Sequence, residues 1–232
     1  MAFVAGKKAR LLVGDFNLAA YGTSAEFGWA QDALDSTTFT TDGAKTFVLG
    51  QDTATGKVSG YYDTLEHADL ASWKSSAQAV TFGPSGLSRG SELWMVNGVL
   101  SQFSVGSPVA GLGSFSLDVQ ADGLVDIGVS LHDLTAVTGD ENGTSVDGTA
   151  ATTGGAAAHL HVTAFSGFSG AVVTVEDSAN DSTWATIGTF TTVAGVTSQR
   201  LAIAGTVRRY TRYVADVTGT GSVTFALGLA RR

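Results

Sequence analysis

Short runs of alternating apolar and polar residues dominate the chain. The clearest is GSFSLDVQA, residues 113–121, where Phe115, Leu117 and Val119 fall on one side and Ser114, Ser116, Asp118 and Gln120 on the other. A period of two belongs to a strand with one packed face and one wet face. Segments 11–13, 25–29, 46–49, 57–61, 79–82 and 92–99 read as further strands or strand ends. One stretch breaks the period. DTLEHADLASWKSSAQA, 63–79, spaces Leu65, Ala68, Ala71 and Trp73 as a helix does, and Asp63 with Glu66 three residues on makes a capping-box pattern. After residue 158 alternation returns in six segments, 159–165, 171–176, 184–190, 199–203, 208–217 and 222–229, at β-sandwich spacing. Thr218-Gly219-Thr220-Gly221 reads as the turn of a terminal hairpin. Between the two series, TGDENGTSVDGTAATTGGAAA, 138–158, is poor in large apolar residues and reads as a solvated linker. The division predicts two domains, 1–147 and 148–232, with no repeat between them.

Composition agrees with this picture. Thirty Gly against two Pro suit strands joined by tight turns, and 44% hydrophobic with 15% charged residues is a globular balance. Cysteine is absent, which removes disulfides and Cys-based metal or iron–sulfur sites. The basic N-terminal residues Lys7, Lys8 and Arg10 are followed by no apolar run of secretory length, and no window approaches the roughly 20 apolar residues of a membrane span. The expectation is a soluble protein without a membrane partner. Charge is uneven. Residues 1–147 hold seven Lys and Arg against seventeen Asp and Glu, a balance of −10, while 148–232 hold six Arg against four acids. An acidic first domain is a poor binder of phosphate backbones, whose recognition needs Lys and Arg to displace counterions. Acidic surfaces also keep proteins soluble.

Candidate chemistry is sparse. His159 and His161 share a strand face, but a metal site needs a third ligand, and solvent-facing or packed strand histidines are the simpler reading. Asp140-Glu141-Asn142-Gly143 with Asp147 lacks the oxygen spacing of a calcium loop. No G-x-S-x-G elbow and no phosphate loop occurs, so neither an enzyme nor a cofactor is expected. In the second domain Arg208, Tyr210 and Arg212 alternate onto one face, with Arg209 and Tyr213 on the other. With Trp184 they are contact candidates, because Arg and aromatics are favoured at interfaces; an edge strand kept soluble by charge is the alternative.

The stretch 15–63 carries the most information. In order it presents Asn17-Leu18, Tyr21, Ser24, Phe27, Asp32, Asp35, Ser36-Thr37-Thr38-Phe39, a turn at Thr41-Asp42-Gly43, Gly50, and Gly60-Tyr61-Tyr62-Asp63 ahead of the helix. This set resembles the core of the tail tube proteins of long-tailed bacteriophages, whose subunits stack as rings around the path of the DNA. The resemblance implies an all-β fold: a tail-tube-type β-sandwich or barrel with one packed α-helix. A smaller immunoglobulin-like or carbohydrate-module-like β-sandwich would follow on the outer surface.

The resemblance also implies a structural virion protein, a major tail tube subunit forming hexameric rings, built in the bacterial cytoplasm and located in the phage tail. Its partners would be copies of itself, the tape measure, terminator and tip proteins, and DNA passing without specific binding. Asp32, Asp35, Asp42 and Asp52 then become lumen-facing or ring-contact candidates, against the plainer reading that Asp beside Gly and Thr shapes turns. The alternative function is a capsid-decoration or tail-tip protein holding glycans, with Trp184 or Tyr210 stacked on sugars.

Overall fold

The computed structural model describes residues 6–38, 44–63, 73 and 76–232, and over these the chain is all-β. The helix expected over 63–79 and the turn at Thr41-Asp42-Gly43 fall on segments largely outside the described residues. Within the first of these segments Trp73 is buried, and Gln78 and Ala79 already belong to a strand.

Seven strands build a first lobe: β1 (Arg10–Val13), β2 (Phe16–Asn17), β3 (Gly22–Asp35), β4 (Phe47–Tyr61), β5 (Gln78–Gly83), β6 (Glu92–Gly106) and β7 (Ser114–Ala121). Seven more follow: β8 (Asp126–Val137), β9 (Glu141–Asn142), β10 (Val146–Asp147), β11 (Ala156–Ser178), β12 (Trp184–Thr189), β13 (Thr197–Ile203) and β14 (Tyr210–Arg231). Hydrogen bonds run along β12-β11-β14-β8-β6-β5-β1-β2, with β7, β4 and β3 branching from β6.

The first lobe is a sandwich because β6 changes partners. Its early residues pair with β5, its later ones with β7, and a bulge between Leu100 and Gln102 turns the corner. The two layers close over Leu11, Val13, Leu18, Val58, Val80, Val96, Phe115, Leu117 and Val119. Burial of each such side chain is worth about 1.5–3 kcal/mol relative to exposure. The alternation in 113–121 is realised as expected, with Phe115, Leu117 and Val119 at 3% exposure or less.

In the second lobe β11 and β14 pair from Ala156↔Arg231 to Ser178↔Tyr210, interrupted by bulges around Val162, Ser166 and Phe168. The hairpin turn expected at Thr218–Gly221 is therefore absent. Gly219, at φ 101°, is paired with Phe168 and bends a continuous strand instead. Leu160, Val173, Val175 and Phe225 fill this core, together with Leu131 and Val137 from β8.

The linker reading of 138–158 is also corrected. β9 and β10 pair with β14, Gly143 N–H donates to the Tyr213 carbonyl, and Ala156, Ala157 and Ala158 are at most 2% exposed. Small residues are used here for close packing. A Cβ on Gly143 would lie 2.2 Å from the Tyr213 ring.

The lobes are joined by more than the β8–β14 ladder. Leu12, Leu87, Leu93, Met95, Ala226 and Ala230 form a cluster between them. Beside it, the fully buried carboxylate of Asp126 takes hydrogen bonds from His159 Nε2 (3.0 Å), Arg200 Nε (3.0 Å) and Arg232 Nη2 (2.5 Å). His161 Nδ1 donates to the Gly14 carbonyl at 2.7 Å, and its Nε2 meets Thr81 Oγ1 at 2.7 Å. The histidine pair is thus packed and hydrogen-bonded.

Candidate assembly surface

The outer layer of the first lobe is a ribbon of four antiparallel strands in the order β3-β4-β7-β6. Register and alternation assign its two faces. Val58, Phe115, Leu117 and Val119 point into the core. On the other face lie Ser24, Ser59, Ser116 and Ser104 in one cross-strand row, then Glu26, Lys57, Asp118 and Gln102 in the next, then Thr55 and Gln120. Ser104 and Ser116 share a 2.6 Å hydroxyl contact, and Lys57 stands opposite Glu26 on one side and Asp118 on the other. The face is small, hydroxyl-rich and mildly acidic. Its β7 portion was legible as a wet face, but Ser24, Glu26, Ser59 and Ser104 join it only through the register of four strands.

Both long sides of this ribbon are open. Among the described residues β3 pairs only with β4, and β6 beyond Gly98 pairs only with β7. Rows of unpaired backbone donors and acceptors on an edge are templates for another strand.

Past Trp29 the ribbon narrows to two strands. β4 pairs with β7 only over 55–61, while β3 and β4 continue together from Trp29↔Ala54 to Asp35↔Phe47. This arm exposes Trp29, Leu34, Phe47, Val48 and Leu49, at 49–69% each. A β4 bulge sets Gly50 against Asp32, where a Cβ would lie 2.9 Å from the Asp32 Cβ. At the root, a Cβ on Gly60 would meet the Tyr21 carbonyl oxygen at 2.1 Å. Close backbone approach accounts for both glycines.

The acidic candidates separate along the arm. Asp32 is exposed and falls on the same face as Glu26, whereas Asp52 pairs with Gln31 on the opposite face. One oxygen of Asp52 is buried and has no hydrogen bond among the described residues. Asp35 accepts from the Thr37 N–H at 2.9 Å at the arm's far end, and hydrogen bonds from Thr37 lower its pKa. Asp42 lies outside the described residues.

The second-lobe candidates are engaged within the chain. Arg208 donates its backbone N–H and its Nε to Asp177, both at 2.7 Å. Arg212 pairs with Glu176 at 2.7 Å and lays its guanidinium 4.3 Å from the centre of the Trp184 ring. Tyr210 lies beneath Arg209 at 4.9 Å, and Arg209 is bonded to Asp147. Tyr213 turns into the core and donates to Glu141 at 2.6 Å. Among the described residues no cluster of three metal-binding side chains occurs.

No family model matches this chain, and no curated protein matches it. Among solved structures, a chain of the virion of a native gene transfer agent particle is similar to 54% of this chain over 98% of its own length. It is 14% identical, with a TM-score of 0.44. The tail tube of SPP1 is similar over 55% of this chain and 81% of its own, at 13% identity and a TM-score of 0.39. The Dit protein of SPP1, described as a hub adsorption apparatus in phages infecting Gram-positive bacteria, spans 94% of this chain and 98% of its own. It is 12% identical, with a TM-score of 0.34.

Proposed function

We propose that this protein is a structural tail subunit of a long-tailed bacteriophage, in which the ribbons of six copies join edge to edge into a ring around a bore. One observation carries the reading: a four-stranded ribbon with an apolar inner face, a hydroxyl-rich outer face and two open edges. Pairing the β3 edge of one copy with the β6 edge of the next satisfies both and leaves no edge exposed. Four strands from each of six copies make a barrel of about 24, wider than the 16–18-stranded barrels that already hold an aqueous channel. The polar face becomes the wall. Among its described, paired residues the serines and threonines are joined by one cation, Lys57, which is flanked by Glu26 and Asp118, so DNA slides past without being held. Stacked rings would form the major tail tube and bring the tape measure protein into the bore, with terminator and tip proteins at its ends. The protein would be located in the virion, assembled in the host cytoplasm, and would have no catalytic role.

A second reading, a single ring at the tail tip, draws support from the union of the lobes. The β8–β14 ladder and the buried Asp126 make the subunit one rigid body, suited to a ring that holds other tip components. Negative-stain microscopy and light scattering of the purified protein separate the cases. Six-fold rings or tubes are expected, with axial repeats marking the tube and isolated rings marking the tip. A folded protein that stays monomeric at high concentration and moderate salt would refute both.

A further inference from the structure

We propose that the cleft between the basic turn ahead of β1 and the turn after β5 binds a flexible chain of linked phosphate groups. The cations of the first lobe decide where the site lies. Lys7 and Lys8 occupy a single 3-10 turn, Gly6–Lys8, and Arg10 opens β1. All three are exposed, and none forms an ion pair among the described residues. The second lobe uses its arginines differently. Arg200, Arg208, Arg209, Arg212 and Arg232 each face a carboxylate at 2.9 Å or less. In a chain of net charge −8, three neighbouring cations without acids are left to attract an anion from outside.

The walls supply donors. The cleft has a volume of about 540 Å³, and residues 85–88 line it together with the three cations. A reverse turn, closed by the Gly86 N–H on the Gly83 carbonyl at 3.2 Å, sets Gly86 at φ 106°. It leaves the N–H groups of Ser85, Leu87 and Ser88 with no acceptor among the described residues. Free backbone N–H groups gathered around a residue of positive φ make a concavity that holds anions. The hydroxyls of Ser85 and Ser88 add donors that rotate to suit. Asn17 Oδ1 accepts from the Ala19 N–H at 3.1 Å, which leaves the side-chain amide hydrogens to the cleft. Arg10 donates through Nη1 to the Lys8 and Ala9 carbonyls, at 3.4 and 3.0 Å, so its Nε and Nη2 remain. The carboxylate on the lining, Asp133, has Oδ1 bonded to the Thr135 hydroxyl at 3.1 Å.

Charge, size and stiffness narrow the ligand. One phosphate group carries about −1.5 to −2 charges. Three cations, in a cleft within the range of about 300–1,000 Å³ usual for organic ligands, suit two or more phosphates joined in a row. Duplex DNA is too stiff to bend into it, with a persistence length of about 50 nm. The cleft also stands apart from the proposed bore, because none of its lining residues belongs to β3, β4, β6 or β7. The site is therefore independent of the ring reading. Free oligophosphate and the phosphates of a flexible polymer share this chemistry, and chain length tells them apart.

The test is calorimetric titration of the full-length protein with inorganic tripolyphosphate and with long-chain polyphosphate. Saturable binding is expected for both. Equal affinity marks a short ligand and tighter binding of the long chain marks a polymer, and either result upholds the site. For the long chain, affinity should fall roughly 20-fold between about 50 and 200 mM salt, as three neutralised phosphates require. Lys7→Gln with Lys8→Gln should leave about a third of that salt dependence on a logarithmic scale. Lys45→Gln, the loss of an exposed cation outside the cleft, should leave binding unchanged. Lys7, Lys8 and Lys45 are all exposed, so melting temperatures should match the parent. Absence of saturable binding overturns the proposal. So does a Lys7→Gln, Lys8→Gln protein with the parent's salt dependence, or an equal loss in Lys45→Gln. A polyglutamate peptide that displaces polyphosphate would assign the cleft to an acidic protein segment. Duplex DNA that displaces it would make the cleft a nucleic-acid surface, and either displacement overturns the proposal.

Discussion

Three histidines, His132, His159 and His161, are buried and uncharged, and together they make the fold sensitive to acid. Burial pushes all three below the ordinary histidine range, His161 to about 3. The Nε2–H of His159 is spent on Asp126 and its Nδ1 has no hydrogen-bond partner among the described residues, which leaves a second proton without an acceptor there. Asp126 behaves differently. Burial would raise its pKa, but hydrogen bonds from His159 and Arg232 and the charge of Arg200 hold it at about 2.

The unfolded chain takes up protons on these histidines near pH 6.5 and the folded chain does not, so stability is lost as pH falls below that value. Each histidine contributes a slope of at most about 1.4 kcal/mol per pH unit, which ends where the pH falls through its folded-state pKa. A second loss, from Asp126, begins only below about pH 4. Urea midpoints measured from pH 8 to pH 4 should fall steeply below about 6.5. A flat profile to pH 4.5 would show that the histidines are accessible. The sequence showed that His159 and His161 share a face, yet their partners come from β8, β5 and the turn after β1, which no spacing reveals.

The ribbon shows which parts of an element can be read in a sequence. The wet face of β7 is visible in its alternation, and Gly50 and Gly60 belong to the pattern carried by residues 15–63. The two ends of β4 read as separate strands because GQDTATG between them lacks large apolar residues, but there the strand is held by β3 on one side and then β7 on the other. Register then decides which acids matter to a bore. Glu26 and Asp118 lie on the polar face with Asp32, while Asp52 does not. Turning Glu26 and Asp118 to Lys makes the row Glu26–Lys57–Asp118 wholly cationic. With Glu26 exposed and Asp118 half-buried, and with like charges set directly opposite, the change should cost on the order of 1 kcal/mol of stability. Assemblies of the variant should retain duplex DNA in a gel shift at about 50 mM salt and release it near 200 mM, the signature of phosphate contacts. The parent and an Asp52→Lys control should not retain it. Equal retention by parent and variant would move the bore to another face.

For the molecule as a whole, the question is whether the second lobe is an ornament or part of the fold. The composition break across 138–158 suggested a linker, because glycine, threonine and alanine in series usually mean a flexible connection. Here they are the residues small enough to lie against Tyr213 and Arg231, and they fasten the segment to β14. The boundary at 147/148 therefore runs through a shared strand system, with β8 before it paired to β14 after it. A chain cut at residue 147 would lose β14 as a partner of β8, strip cover from Leu131 and Val137, and remove His159, Arg200 and Arg232 from the carboxylate of Asp126. Removing the partners of a buried charge typically costs about 3–5 kcal/mol, and an open apolar edge adds a route to aggregation. The cut chain should be insoluble or lack a cooperative melt, and the full-length Asp126→Asn protein should melt lower than the parent while still assembling. A cut chain that stays soluble, melts cooperatively and closes into rings would make the second lobe a separable domain, with the contacts across β8 and Asp126 incidental to the first.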